Sequence, residues 1–176
     1  MQLEAIPRIW NGDECFIIGG GPSVLDFDAS LLRGKRVIAI NNAFQDFPQA
    51  DILYFMDFHW WQWNAESIYD FGGLIFTLSP RFEQSFRIFA IGMAAQYAYY
   101  EGQEAINYAS NSGLTGIFLA IKLGAGKINL VGFDGGLKNY HDRHQERPPS
   151  EVETRHRQSW SKWLPILHEK ADLVFR

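Results

Sequence analysis

A single cysteine is the first scarcity in this 176-residue chain. One thiol, Cys15, excludes a disulfide within the chain and any metal centre built from several cysteines. It lies in an apolar run, where a thiol is expected to be buried and inert. Basic residues are also in deficit: 16 Lys and Arg against 20 Asp and Glu leave a net charge of −4. That balance argues against nucleic acid or an anionic membrane as partner, because each needs a basic patch. A small anionic ligand stays open. No uninterrupted apolar window reaches the roughly 18 residues that span a bilayer. The opening MQLEAIPRIW has no basic segment followed by an apolar one, so no secretory signal is expected and a cytoplasmic location is. Repeats, low-complexity tracts and linkers are absent too, which suits a single domain over 1–176.

Aromatics are plentiful at 15%, with Phe 14, Tyr 7 and Trp 6, enough to serve a core, a pocket or a homo-oligomer interface. Short apolar runs recur: CFIIGG (15–20), RVIAINNAF, ADILYFMD (50–57), LIFTLSP (74–80), KINLVGFD (127–134) and ADLVFR. Each reads as a buried strand. Between them lie a short helix or turn in SVLDFDASLLRG and helices in FHWWQWNAESIYDFGG, SGLTGIFLAIKLGAG and SEVETRHRQSWSKWLPILHEK. The last is expected to begin with Ser150 as cap and Glu153 three residues on, and Pro165 is expected to kink or reset it. Residues 81–110, with FRIFAIG and YAYYEGQEAINYASNSG, read as short strands or an irregular flap, and 78–110 as a flap or small insertion. Strands alternating with helices imply an α/β, Rossmann-like fold: a mostly parallel sheet with helices on both faces. In such sheets ligands bind beyond the carboxyl ends of the strands. Those ends carry Gly19-Gly20-Gly21-Pro22-Ser23, Asn41-Asn42, Asp57 and Gly132-Phe133-Asp134.

Within CFIIGGGPSVLDF the three glycines could let backbone N–H groups approach a phosphate, with Ser23 adding a hydroxyl. They could equally make a strand-to-helix turn. The spacing does not fit GxGxxG, nor is there a GxxxxGK[ST] run. NSGLTG offers a second anion site, since Ser112 and Gly113 would carry free amides at a helix start, unless Asn111 or Ser112 is merely a cap. Asn41 and Asn42 could read a base or ribose edge, or cap a turn. YHDRH holds His141, Asp142 and His144, which suit general acid–base work, a metal shared with Asp134 or Asp142, or a solvated loop. Trp60, Trp61 and Trp63 could floor a sugar or base, or pack a core. His156 and His168, with RHRQSWSKW, read as a solvated or packing helix face, and His59 is undecided.

The order GGGPS, VIAINNAF and NSGLTGIFLAIKLGAGKINLVGFD resembles the bacterial sialyltransferases that use CMP-sialic acid. It is also similar to the MptE-like group (domain of unknown function 115), which includes pterin pyrophosphokinases. Compact relatives of this kind are often phage proteins. The resemblance covers 15–57 and 110–176, is poor over 58–109, and has its most specific block at 112–134. It implies a nucleotide-dependent, glycosyltransferase-like transferase. Gly19, Gly20, Gly21, Pro22, Ser23, Asn41, Asn42, Asp57, Ser112, Gly113 and Asp134 would line the nucleotide site. His144 or His141 would be the general base, and Tyr140 would assist the departing phosphate. The implied partners are a nucleotide-sugar co-substrate, CMP-linked in those enzymes, and an acceptor, with no tightly bound cofactor and no protein-bound metal. Two departures accompany it: Gly136 stands where those transferases have a tyrosine, and Ala109 precedes the S-G motif in place of an arginine. The alternatives are a pyrophosphokinase using ATP and Mg²⁺, or a non-catalytic nucleotide-binding or assembly module.

Overall fold

A computed structural model describes residues 5–78, 88–94, 98–135, 140–141 and 150–176. Seven strands form one wholly parallel sheet: β1 (Glu14–Ile18), β2 (Arg36–Ile40), β3 (Ile52–Phe55), β4 (Leu74–Thr77), β5 (Ile88–Ala90), β8 (Lys127–Val131) and β9 (Asp172–Phe175). They are rich in Ile, Val, Leu and Phe because both sides of a parallel sheet are covered. Two short strands, β6 (Gly92–Ala94) and β7 (Ala105–Asn107), pair in parallel as a separate ribbon. Of the two readings of this segment, short strands or a flap, its described residues supply the strands: one at the edge of the main sheet and two in this ribbon.

Three α-helices are present among the described residues: α1 (Phe58–Ile68), α2 (Ser112–Leu123) and α3 (Ser150–Lys170). One core joins Ile17, Ile38, Tyr54 and Leu130 to Leu114, Phe118, Trp163 and Leu167 of α2 and α3. The other joins Phe16, Leu53, Phe55 and Val131 to Trp60 and Ile68 of α1 and to short 3₁₀ turns. Alternate strand residues thus enter opposite cores, as a two-residue period requires. This is the Rossmann-like α/β arrangement expected from the sequence.

Several local readings change. SVLDFDASLLRG folds as two 3₁₀ helices, Pro22–Asp26 and Ala29–Leu32. α3 runs through Pro165, which is exposed, so the carbonyl freed by the missing N–H can be hydrated. RHRQSWSKW is not simply a solvated face: Trp163 is buried and Trp160 packs against the first core. Glu153 meets Arg157 one turn on, at 2.7 Å. Cys15 is fully buried, and desolvation pushes its thiol pKa far above the ordinary range.

The strand order is β5-β4-β3-β2-β1-β8-β9. The chain builds outward from β1 to one edge, then returns through α2 to place β8 on the other side of β1. The order reverses between β1 and β8, whose registers match Ile17 with Leu130 and Ile18 with Val131. That is the switch point at which open α/β sheets leave a crevice.

Candidate functional site

The glycine loop leaves β1 at this crevice and locks onto the loop that leaves β8. Gly19 N–H donates to Val131 O (2.7 Å) and Gly21 N–H to Gly132 O (2.9 Å). A Cβ at Gly19 would stand 2.7 Å from Gly132 O, and one at Gly21 only 2.0 Å from Asp134 Oδ2. The glycines are therefore demanded by the neighbouring loop. Ser23 completes the lock. Its amide and hydroxyl both donate to Asp134 Oδ2 (3.2 and 3.0 Å), while its Oγ accepts from Gly132 N–H (3.1 Å). The element that follows, Pro22–Asp26, is a single 3₁₀ turn beginning with a proline, which has no N–H. The amides of Gly19, Gly21 and Ser23 are thus occupied inside the protein.

The second candidate anion site differs. Asn111 caps α2, its Oδ1 accepting from Leu114 N–H (3.0 Å) and its carbonyl from Thr115 Oγ1 (2.8 Å). The amides of Ser112 and Gly113 precede these and have no acceptor among the described residues. Both residues are half-exposed. A helix start of this kind carries unsatisfied N–H groups and partial positive charge.

One side chain the sequence reading passed over joins the two halves. A Cβ on Gly19 would meet Phe133 Cε2 at 3.2 Å, and one on Gly113 would meet Phe133 Cε1 at 2.8 Å. The glycine loop and the α2 start therefore lie on either side of one phenyl ring, which stands edge-on to Trp160 of α3 (5.8 Å, 87°). The only sequence signal for Phe133 was its place inside G-x-D.

Asn41 follows β2 in left-handed backbone (φ 51°), and its buried Oδ1 has no hydrogen-bond partner among the described residues. Asn42 is buried and accepts from Trp60 Nε1, so its amide carbonyl is committed to the core. Asp57 caps α1, its Oδ1 accepting from His59 N–H (2.8 Å). Of the tryptophans, Trp60 is core and Trp63 is exposed. Tyr140 crosses the glycine loop: its N–H donates to Gly20 O (2.9 Å), its hydroxyl to Asp46 Oδ2 (2.6 Å), and its ring stands edge-on to His141 (4.7 Å, 81°). His144 and Asp142 lie outside the described residues. No group of three metal-ligating side chains occurs among the described residues.

His156, read from sequence as a surface or packing residue, is half-buried on α3. Burial lowers its pKa, the backbone of Ser110 opposes that shift, and nearby Arg155 lowers it further. Ser110 and Asn41 are the two non-glycine residues with left-handed φ among the described residues (54° and 51°). Both lie at this edge of the sheet. A hollow of about 510 Å³, lined by Trp10, Arg36, Asp51 and Gly73, lies instead at the opposite edge, where β2, β3 and β4 begin.

No helix among the described residues is long and apolar enough to cross a membrane. No protein-family model matches the sequence, and no curated protein matches it. A solved structure does match in three dimensions: the crystal structure of the sialyltransferase CST-II in complex with a trisaccharide acceptor and CMP. The TM-score is 0.54 at 15% identity, over 92% of this chain and 80% of that one, so the chain has a sialyltransferase-like, Rossmann-like fold.

Proposed function

We propose that the protein is a nucleotide-dependent transferase of the glycosyltransferase type, taking a nucleotide-activated sugar at the β1/β8 crevice. The observation that carries this reading is the placement of Phe133 between the glycine loop and the open amides of Ser112 and Gly113 at the switch point. The phosphate belongs at the start of α2, where N–H groups and the helix dipole favour negative charge. The glycine loop and Asp134 shape the crevice. Asn41, with its buried carbonyl oxygen, suits a hydrogen-bond donor on ribose or base. The sialyltransferase CST-II, which shares the fold, was crystallised with CMP and a trisaccharide acceptor, which supports a nucleotide-linked donor and a carbohydrate acceptor here.

In the reaction an acceptor hydroxyl oxygen bonds to the anomeric carbon of the donor sugar. The bond from that carbon to the phosphate oxygen breaks, and the nucleotide leaves with the electron pair. The hydroxyl proton passes to a histidine. His141, beside Tyr140 over the glycine loop, and His144, three residues on, are the proposed bases. The amides of Ser112 and Gly113 stabilise the charge gathering on the phosphate, and Tyr140, bonded to Gly20 O, stands at the glycine loop.

Titration calorimetry with CMP, CMP-sialic acid and the other nucleoside monophosphates tests the reading. Saturable binding of a nucleotide, weakened by Gly113→Ala, is expected. Absence of binding to every nucleotide overturns it. Binding confined to ATP with Mg²⁺ would transfer the site to pyrophosphoryl chemistry.

A further inference from the structure

Tyr140 ties together two loops that leave neighbouring strands. Its N–H donates to Gly20 O after β1 (2.9 Å), and its hydroxyl donates to Asp46 Oδ2 beyond β2 (2.6 Å). A hydroxyl bonded to an ionised carboxylate at that length belongs to the stronger class of hydrogen bond. The Asp46 end is firmly founded. Asp46 closes the 3₁₀ helix Asn41–Gln45, its own N–H donating to Ala43 O (3.2 Å). Buried Asn42, Ala43 and Phe44 pin that helix, with Phe44 edge-on to Trp60 and to Phe71 (6.1 and 6.0 Å). The Tyr140 ring packs half-buried against the core around Phe55 and Trp60, so its hydroxyl is aimed with little freedom. His141, the next residue, is half-buried and stands edge-on to that ring, with 4.7 Å between centroids.

We propose that Asp46 is a positioning residue: it holds the Tyr140 hydroxyl and, through the Tyr140 ring, sets the His141 imidazole over the glycine loop. A tyrosine hydroxyl has one proton to donate, and here Asp46 takes it. The same proton is then not available to a departing phosphate, the role that the family resemblance implied for Tyr140. This deepens the transferase reading above and rests on it for His141 as a base. Without the carboxylate, Tyr140 keeps its amide bond to Gly20 but loses the anchor at the far end of its ring, and His141 loses a fixed neighbour.

The test uses the full chain in Asp46→Ala, Asp46→Asn, Tyr140→Phe and the double variant Asp46→Ala/Tyr140→Phe. Three quantities are read: single-turnover transfer from CMP-sialic acid to a trisaccharide, CMP affinity by calorimetry, and amide hydrogen exchange at residue 140. Asp46→Ala should slow transfer about tenfold or more, as a small misplacement of a reacting group does. It should leave CMP affinity within about threefold, because the nucleotide is held elsewhere. Exchange at residue 140 should quicken about tenfold as the segment loosens. Asp46→Asn keeps an oxygen to accept the bond and should recover most of the rate. Tyr140→Phe removes the other half of the same bond, so it should match Asp46→Ala, and the double variant should be no worse than either. A further loss in the double variant, or a Tyr140→Phe loss well beyond that of Asp46→Ala, overturns the proposal and returns the hydroxyl to the phosphate. Unchanged exchange in Asp46→Ala overturns it as well. If the wild-type chain transfers nothing, the transferase reading falls separately. Positioning is then decided by exchange alone, which must quicken equally in the two single variants and no further in the double.

Discussion

Ser23 and Asp134, 111 residues apart, share one carboxylate oxygen: the amide and the hydroxyl of Ser23 both donate to Asp134 Oδ2, at 3.2 and 3.0 Å. The same hydroxyl accepts from Gly132 N–H. Removing the serine oxygen strands that amide and one carboxylate contact together. Ser23→Ala should therefore lower stability by about 1–3 kcal/mol. Chemical denaturation followed by circular dichroism reads this, and a change below about 0.5 kcal/mol would show that the two loops hold together without it.

Gly21 faces the same oxygen. A methyl group there would sit 2.0 Å from Asp134 Oδ2 and 2.7 Å from Gly132 O. Gly21→Ala should destabilise the fold by about 1–3 kcal/mol, as overpacking does. Adding Asp134→Ala should recover only part of the loss, because the backbone oxygen stays in the way. Full recovery in the double variant would mean that the carboxylate alone sets the glycine requirement.

Trp60 donates its indole N–H to the buried Oδ1 of Asn42. Trp60→Phe keeps most of the ring but leaves that oxygen without its donor, at a cost of about 1–3 kcal/mol. Trp63, exposed on the same helix, should tolerate the same change within about 0.5 kcal/mol. Equal effects at the two positions would contradict their placement.

Glu14 is held at about 2, below its ordinary 4.5, by Lys35 first and then by Asn129 and Lys127. A carboxylate depressed in the folded state adds stability above its unfolded value, and loses it as pH falls through the folded one. The melting temperature should therefore decline between about pH 5 and pH 2. Glu14→Gln should be less stable at neutral pH and show a shallower decline across that window. An unchanged slope in the variant would remove Glu14 from the acid response.

His141 and His144 carry the proposed proton transfer. Replacing the true base by asparagine should lower turnover by about a hundredfold or more while nucleotide affinity stays within about threefold. Single-turnover transfer from a nucleotide-sugar donor separates the two. If neither variant slows the chemical step, the base lies elsewhere.

The linear sequence determined six of the nine strands among the described residues, the three α-helices and the edge of the sheet on which polar residues collect. Those features are local: apolar runs of a few residues ending in Gly, Asn or Asp, and an asparagine cap followed by an apolar helix stripe, carry their own period and stop signals. The buried Cys15 was legible for the same reason. Which strand lies beside β1 was not, because no local pattern specifies a neighbour more than a hundred residues away. Only the fold set β8 there and brought Gly132, Phe133 and Asp134 against the glycine loop. That contact spends the amides of Gly19, Gly21 and Ser23 on the protein itself and leaves those of Ser112 and Gly113 open. The sequence offered the two anion sites as equals. The difference between them is a matter of which hydrogen bonds are already made, and partners distant in the chain decide that. The place of Phe133 stayed hidden for a related reason: a phenylalanine inside G-x-D acquires meaning only from what packs against it.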